Sequence, residues 1–273
     1  NIGGNTKIYF KPNSLNDLIN FLKLYEDHKN LFVLGAGSNV LFKDDLFDGA
    51  VIKLSKNFSR ISLLNESTII AGSGALDKSL SDFAMENSLS GFEFLSCIPG
   101  TIGGGIRMNS GCFESEFKDI LISVQAINRN GMVLTIPAKD IIFNYRFCNL
   151  PKNLIFLSAT FQGKKDNKEN IKELIKKLKM KKEKAQPTRI KTGGSTFKNP
   201  IKQTNKKVWE IIKKSVPDNV QFGDAVISNK HCNFFVNKGN ASYEDMKRLI
   251  DYVKESVKKK TGINLDLEII LVE

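Results

Sequence analysis

The chain has 273 residues, 41% hydrophobic and 26% charged, with 41 Lys and Arg against 29 Asp and Glu for a net charge of +12. That length allows one large domain or two to three small ones, and no apolar run reaches the roughly 20 residues of a membrane-crossing helix. Cys97, Cys112, Cys148 and Cys232 lie far apart without a C-x-x-C pair, and His28 and His231 are the only histidines, which argues against a zinc site, a His-rich metal centre and a disulfide scaffold.

Reduced thiols in a cytoplasmic protein are the simple reading. There is no basic-then-apolar leader, and a chain opening on Asn1 reads as a start inside a longer frame. The basic balance is compatible with nucleic acid, a membrane surface or an anionic small molecule. The lysines are spread widely among Asn and Ile, which reads as compositional background and leaves nucleic-acid binding a minor alternative.

Elements follow in chain order. Lys7–Phe10 is a short strand stopped by Pro12. Ser14 and Asp17 form a capping-box pattern, and Leu18, Phe21, Leu22 and Tyr25 share a helical face. Leu31–Leu34 and Ala50–Leu54 are strands, closing a small α/β unit at about residue 56. Thr68–Ala71 is a strand, and Leu76, Leu80, Phe83 and Ala84 mark an amphipathic helix. Residues 99–111 are too glycine-dense for a helix interior or a good strand. Val124–Ile136 alternates around Asn130-Gly131, a type I′ hairpin pattern, and Leu154–Phe161 is another strand. Residues 164–191 are lysine-rich, yet Ile171, Leu174, Ile175 and Leu178 keep helical spacing, so the charge run is a solvated face. Ser242 with Asp245 starts a helix carrying Met246, Leu249, Ile250, Val253 and Val257, which Gly262 ends. Ile263–Val272 alternates as a final strand. The expected class is α+β or α/β.

Three stretches carry chemistry. Gly35-Ala36-Gly37-Ser38-Asn39 follows an apolar strand and reads either as a plain glycine turn or as a nest of N–H groups for phosphate. It is not the dinucleotide-binding G-x-G-x-x-G, because Val40 stands at the last place. Pro99-Gly100-Thr101-Ile102-Gly103-Gly104-Gly105, followed by Asn109, Ser110 and Gly111, reads as close backbone approach to a large anionic ligand. Gly193-Gly194-Ser195-Thr196-Phe197-Lys198-Asn199-Pro200 exposes a serine after two glycines. Ser195 has no neighbouring histidine and no G-x-S-x-G elbow, so a hydrolase triad is unsupported and helix capping is its plain alternative. Tyr145-Arg146 is either a surface packing pair or a carboxylate-binding guanidinium. Asp266 and Glu268 alternate onto one face of the last strand, which by pattern alone is a solvated face.

The ordered set Gly35-x-Gly37-Ser38-Asn39-Val40-Leu41, Gly91-x-Glu93-Phe94-Leu95-x-x-Ile98-Pro99-Gly100-Thr101-x-Gly103-Gly104, Met108-Asn109-x-Gly111, Tyr145-Arg146 and the Ser195 octapeptide resembles the UDP-N-acetylenolpyruvoylglucosamine reductase family. The resemblance runs over nearly the whole chain and favours the family's shorter second subclass.

It implies a two-lobed FAD-binding domain of the vanillyl-alcohol-oxidase (PCMH) type at 1–163, with lobes about 1–56 and 57–163. A helical connection at 164–186 and a C-terminal α+β substrate domain at 187–273 follow. It implies non-covalent FAD with its pyrophosphate on Gly35, Ala36, Gly37, Ser38, Asn39, Pro99, Gly100, Thr101, Gly103, Gly104, Asn109 and Gly111, and NADPH as co-substrate. Arg146 is then the residue that meets the enolpyruvyl carboxylate, with Tyr145, Lys198 and Asn199 beside the UDP-sugar. Ser195 is the proton donor, Glu268 lies near the carboxylate, and His231 is structural or substrate-proximal. A monomeric cytoplasmic enzyme of peptidoglycan precursor synthesis is expected, with no nucleic-acid partner and no membrane insertion. Departures from the pattern are Cys97 for glycine, Gly105 for alanine, Phe113 for tyrosine and Cys148 for serine. The rival readings are another FAD-dependent oxidase or dehydrogenase acting on a sugar or alcohol, and a basic nucleic-acid-binding protein.

Overall fold

Residues 2–25, 30–188 and 190–273 are described by a computed structural model; Asn1 and His28 lie outside them. The chain divides into two compact units. Ile8–Ala36 and Gly49–Lys182 form the larger, and Asn1–Lys7, Gly37–Asp48 and Glu183–Glu273 the smaller.

In the larger unit, helix α1 (Leu15–Leu24) starts on the Ser14–Asp17 capping box, with Asp17 N–H donating to Ser14 Oγ at 3.1 Å. Leu18 and Leu22 are fully buried against Ile52, Ile127, Ile155 and Leu157. Strand Leu31–Val33 runs parallel to the end of Phe47–Ile52, Leu31 opposite Ala50. Beyond it lies a five-stranded sheet in the order Val133–Pro137, Leu121–Ile127, Ile155–Gln162, Thr68–Gly72, Ile61–Leu63, antiparallel throughout. Helices α2 (Asp77–Glu86) and α3 (Ile102–Met108) share its main core. Phe92, Phe117 and Phe161 meet there edge-on, with centroids 6.0 and 6.4 Å apart, a geometry that the ring quadrupole favours. Helix α4 (Lys168–Ala185) buries Ile171 and Ile175 and exposes most of its lysines, as the charge pattern predicts, although Leu174 is exposed too.

Two expectations fail here. The glycine-dense segment does contain a helix, α3, with Gly103, Gly104 and Gly105 inside it. Packing overrides propensity. A Cβ at Gly105 would lie 2.2 Å from the Phe117 ring and one at Gly103 3.1 Å from Ser73 Cβ, so the low intrinsic helicity of glycine is exchanged for close approach to Phe117 and Ser73. The same contact accounts for glycine at 105, where the resembling family has alanine. The Asn130-Gly131 turn is not type I′ either. Asn128 N–H donates to Met132 C=O, only Gly131 has positive φ (80°), and Asn128 Oδ1 accepts from Asn130 and Met132 N–H. This is a three-residue loop with a left-handed glycine. A two-residue turn with both central φ positive occurs instead at Phe113 (52°) and Glu114 (69°), joining Gly111–Cys112 to Ser115–Glu116.

The smaller unit holds a four-stranded antiparallel sheet, in the order Thr192–Ser195, Phe234–Asn237, Ala225–Ile227, Gln221–Phe222. Helices α5 (Val208–Ser215) and α6 (Tyr243–Thr261) pack on its core. The Ser242–Asp245 capping box and left-handed Gly262 (φ 73°) bound α6 as the sequence predicts. The single final strand does not form. Leu267 makes an isolated antiparallel bridge to Phe197, the chain bends at Glu268 and Ile269, and only Ile270–Val272 is a strand, parallel to Val40–Phe42. The bend changes the pairing partner from one segment to another, which a straight strand cannot do.

Candidate functional site

The larger unit brings Gly35, Pro99–Gly104, Asn109–Gly111 and the Tyr145-Arg146 turn into one neighbourhood. A Cβ on Gly35 would lie 2.7 Å from Thr101 Oγ1, so the first glycine turn abuts the second. Lys53 Nζ donates to Gly35 C=O and steadies that turn. Burial, followed by the charge of Lys11, lowers the Lys53 pKa. The sequence pattern places this lysine inside the strand Ala50–Leu54, whereas the observed strand ends at Ile52 and leaves Lys53 just beyond it.

The glycines of α3 divide by role. The amides of Ile102 and Gly103 donate to Ala75 and Ser73 C=O, each at 2.9 Å. They serve the fold. Gly104 is exposed, and the nearest atom to an added Cβ there is 3.5 Å away. It is the α3 glycine with an open approach for a ligand.

Asn109 is fully buried and left-handed (φ 42°) at the end of α3. Its Nδ2 donates to Glu116 Oε2 and Asn144 C=O, and its Oδ1 accepts from Lys118 N–H. The side chain therefore ties α3 to the strand that precedes Tyr145. Tyr145 and Arg146 form the two-residue turn between Phe143–Asn144 and Phe147–Cys148. Arg146 has φ 54° and donates from Nη2 to Gly111 C=O at 3.0 Å, with Cζ 5.0 Å from the Tyr145 ring centroid. Left-handed backbone costs a non-glycine residue about 1–2 kcal/mol, strain of a kind that clusters at functional sites. A Cβ on Gly111 would lie 2.2 Å from Ser115 C=O, so glycine is required there.

Two orphaned polar groups complete this neighbourhood. Both Asp77 carboxylate oxygens and Ser110 Oγ are buried without a hydrogen-bond partner among the described residues. Asp77 lies against Gly100, where a Cβ would be 2.5 Å from Oδ2, and burial raises its pKa well above the usual carboxylate range. Exposed Gly104 and the close Gly35–Thr101 approach keep side-chain bulk low beside the unmet Ser110 hydroxyl. They fit a pyrophosphate-bearing group.

In the smaller unit, Ser38, Asn39, Ser195, Lys198 and Glu268 come together. Gly193 and Gly194 form an irregularity between Thr192, opposite Val236, and Ser195, opposite Phe234. Gly194 has φ 80°, and its N–H donates to Thr192 Oγ1 at 3.2 Å. An extra residue in one strand re-aims the next side chain, and here that side chain is Ser195. The following residues are clamped by buried Asn233, whose Oδ1 accepts from Phe197 N–H at 3.0 Å and whose Nδ2 donates to Phe197 C=O at 2.9 Å. Its backbone C=O takes Thr196 N–H. Asn233 is a positioning residue that sequence reading passed over, although its place two residues after His231 was the available signal.

Glu268 N–H donates to Thr196 C=O at 2.9 Å, and Asn39 Nδ2 donates to Glu268 C=O at 3.0 Å. The bend therefore lies beside the serine segment. Lys198 N–H donates to Asp266 C=O. Asn199 Oδ1 accepts from Val208 N–H at 3.0 Å, which engages it at the start of α5. His231 packs edge-on against Phe234, its Nδ1 accepts from Asn233 N–H, and burial lowers its pKa, a structural role. Among the described residues no His, Cys, Asp and Glu cluster could hold a metal, and no helix is long and apolar enough to cross a membrane.

Residues 6–137 match a family model described as an FAD binding domain, and residues 186–272 one described as the C-terminal domain of UDP-N-acetylenolpyruvoylglucosamine reductase. The chain is 64% identical over 269 residues to the UDP-N-acetylenolpyruvoylglucosamine reductase of Pelagibacter ubique, covering 98% of this chain and 89% of that protein. It is 42% identical to the enzyme of that name from Rickettsia conorii, over 98% of this chain and 90% of that one. The crystal structure of UDP-N-acetylenolpyruvylglucosamine reductase (MurB) from Thermus caldophilus superposes with a TM-score of 0.84 at 28% identity, over 97% of this chain and 92% of that one.

Proposed function

The chain belongs to the UDP-N-acetylenolpyruvoylglucosamine reductase family, and we propose how its own residues divide that family's reaction. It is a flavoprotein oxidoreductase of peptidoglycan synthesis that reduces UDP-N-acetylglucosamine enolpyruvate to UDP-N-acetylmuramate, with FAD as cofactor and NADPH as co-substrate. The rival oxidase and nucleic-acid readings are not favoured, because the relatives match from end to end. The observation that carries this is the 64% identity over 98% of the chain.

When bound, FAD carries hydride from NADPH to the substrate alkene. Gly35–Asn39, Pro99–Gly104 and Asn109–Gly111 would hold its pyrophosphate, and exposed Gly104 with unsatisfied Ser110 Oγ supports that assignment. Arg146 holds the substrate carboxylate, on which negative charge grows as hydride arrives. Fixed charge aimed at a developing anion is worth about 3 kcal/mol, and the Gly111 hydrogen bond with the strained backbone pre-sets the guanidinium. Tyr145, Lys198 and Asn199 border the substrate. Ser195 delivers the proton to the other alkene carbon, with Lys198 supplying positive charge to assist a weakly acidic hydroxyl. Glu268 helps to stabilise the carboxylate side.

The glycine irregularity that aims Ser195, and the Thr196 hydrogen bond that fixes Glu268, support these roles. The flavin-binding part is assigned to 1–163, the connection to 164–186 and the substrate-binding part to 187–273. The family spans matched at 6–137 and 186–272 support that division. The four free cysteines support a reducing, cytoplasmic setting. A monomer of the family's shorter subclass completes the reading, and sedimentation tests the monomer.

Ser195→Ala tests the mechanism under anaerobic conditions. NADPH still bleaches the flavin, whereas reoxidation by the enolpyruvyl substrate slows by about 10²–10⁴. Unchanged reoxidation removes Ser195 from the mechanism.

A further inference from the structure

We propose, resting on the flavin reading above, that Lys53 and Lys11 are the cationic contacts for the diphosphate of FAD at the Gly35 turn. Strands Leu31–Val33 and Phe47–Ile52 run parallel, so their carboxyl ends share one edge of the small sheet. Leu34 N–H donates to Ile52 C=O at 2.8 Å, and Lys53 N–H donates to Phe10 C=O at 2.9 Å. The chain therefore leaves that edge at Gly35, Lys53 and Lys11, side by side. Ligands of open α/β sheets collect at the carboxyl ends of strands.

The side chains bring charge to the same edge. Lys53 is half-buried and donates from Nζ to Gly35 C=O. An ammonium carries further N–H donors, which remain for an anion. Lys11 is exposed. Among the described residues no carboxylate forms an ion pair with either lysine. Burial, followed by the like charge of Lys11, works against the Lys53 ammonium, and an anion bound at this edge relieves both effects.

The turn itself leaves little room for side chains. A Cβ on Gly35 would lie 2.7 Å from Thr101 Oγ1, so the second glycine segment closes against the turn that Lys53 grips. An ammonium anchored on the turn's own carbonyl moves with the turn, and presents its charge together with the backbone amides. Lysine acts there as a compact point charge, which suits a phosphate group. Oxidised FAD carries its negative charge on the diphosphate, which selects that part of the cofactor for the two lysines.

The experiment dilutes the flavin-loaded whole chain at low and at high sodium chloride and reads released FAD by its fluorescence. Wild-type protein should hold FAD more weakly at high salt, because a partly exposed charge contact is screened. Lys53→Gln keeps a donor for the Gly35 carbonyl but loses the charge. It should raise the Kd for FAD about 10–100-fold at low salt and flatten the salt dependence. Lys53→Arg should restore most of the affinity. Lys11→Gln should raise the Kd about 2–5-fold, and this exposed position decides alone if Lys53→Gln fails to fold. A wild-type Kd in both glutamine variants would overturn the proposal. So would a loss in Lys53→Gln that is equal at both salts and that arginine does not rescue. A raised KM for NADPH or the UDP-sugar with FAD affinity intact would move the lysines to another diphosphate and overturn it too. Wild-type protein that binds no FAD would instead refute the flavin reading itself.

Discussion

Single positions in this chain are constrained by what an added or removed atom meets. Gly104 and Gly105 are neighbours in one helix, yet only the second abuts an aromatic ring. Gly104→Ala should raise stability by about 0.5–1 kcal/mol through helix propensity while weakening FAD retention. Gly105→Ala should destabilise by about 1–3 kcal/mol through overpacking against Phe117. Chemical denaturation and flavin release on dilution separate the two. Asp77 is a second case, since burial raises its folded pKa above the unfolded value near 3.8. The stability it contributes is fully present below pH 3.8 and is lost as pH rises through the folded pKa. Asp77→Asn, which carries no charge to bury, should therefore melt higher than wild type at neutral pH and lose that advantage towards pH 4. A melting difference that is flat with pH would refute the assignment. Sequence reading could not single out Asp77, because an acidic residue in a first helical turn is ordinary.

At the scale of elements, the Ser195 segment is a strand made irregular by two glycines and gripped by one asparagine. Asn233→Ala removes both side-chain bonds to buried Phe197. Leaving that buried N–H and C=O unmet should cost about 2–4 kcal/mol. Because Ser195 lies two residues upstream, kcat should fall together with stability, and differential scanning calorimetry with steady-state kinetics checks both. Helix α6 was legible residue by residue, since its cap, its 3.6-residue apolar period and its terminal glycine are local signals. Helix α3 was not, because its glycines oppose it locally and only Phe117 and Ser73 make them necessary. The same holds for the two-residue turn at Phe113 and Glu114, whose side chains give no local sign of positive φ.

At the scale of the whole molecule, the smaller unit is assembled from three separate stretches of chain. Strand Val40–Phe42 pairs with Ile270–Val272, Asp44 Oδ2 accepts from Tyr243 N–H at 2.6 Å, and buried Leu41 belongs to that core. A fragment of residues 183–273 alone should therefore lack cooperative unfolding, with dispersed amide resonances returning only when residues 37–48 are supplied. A cooperative transition in the bare fragment would refute this.

The sequence by itself determined most strands of the larger unit and helices α1, α2, α4 and α6, because capping and periodicity are properties of neighbouring residues, and the chemistry followed from the resemblance of its ordered motifs to a known family. Only the tertiary structure decided that Gly103 and Gly105 serve packing while Gly104 stays open, that Asn109 ties segments together, that Asn233 holds the serine strand, and that residues 37–48 join the C-terminal core. Each of those facts depends on groups distant in sequence meeting within a few ångströms, a distance that local patterns do not encode.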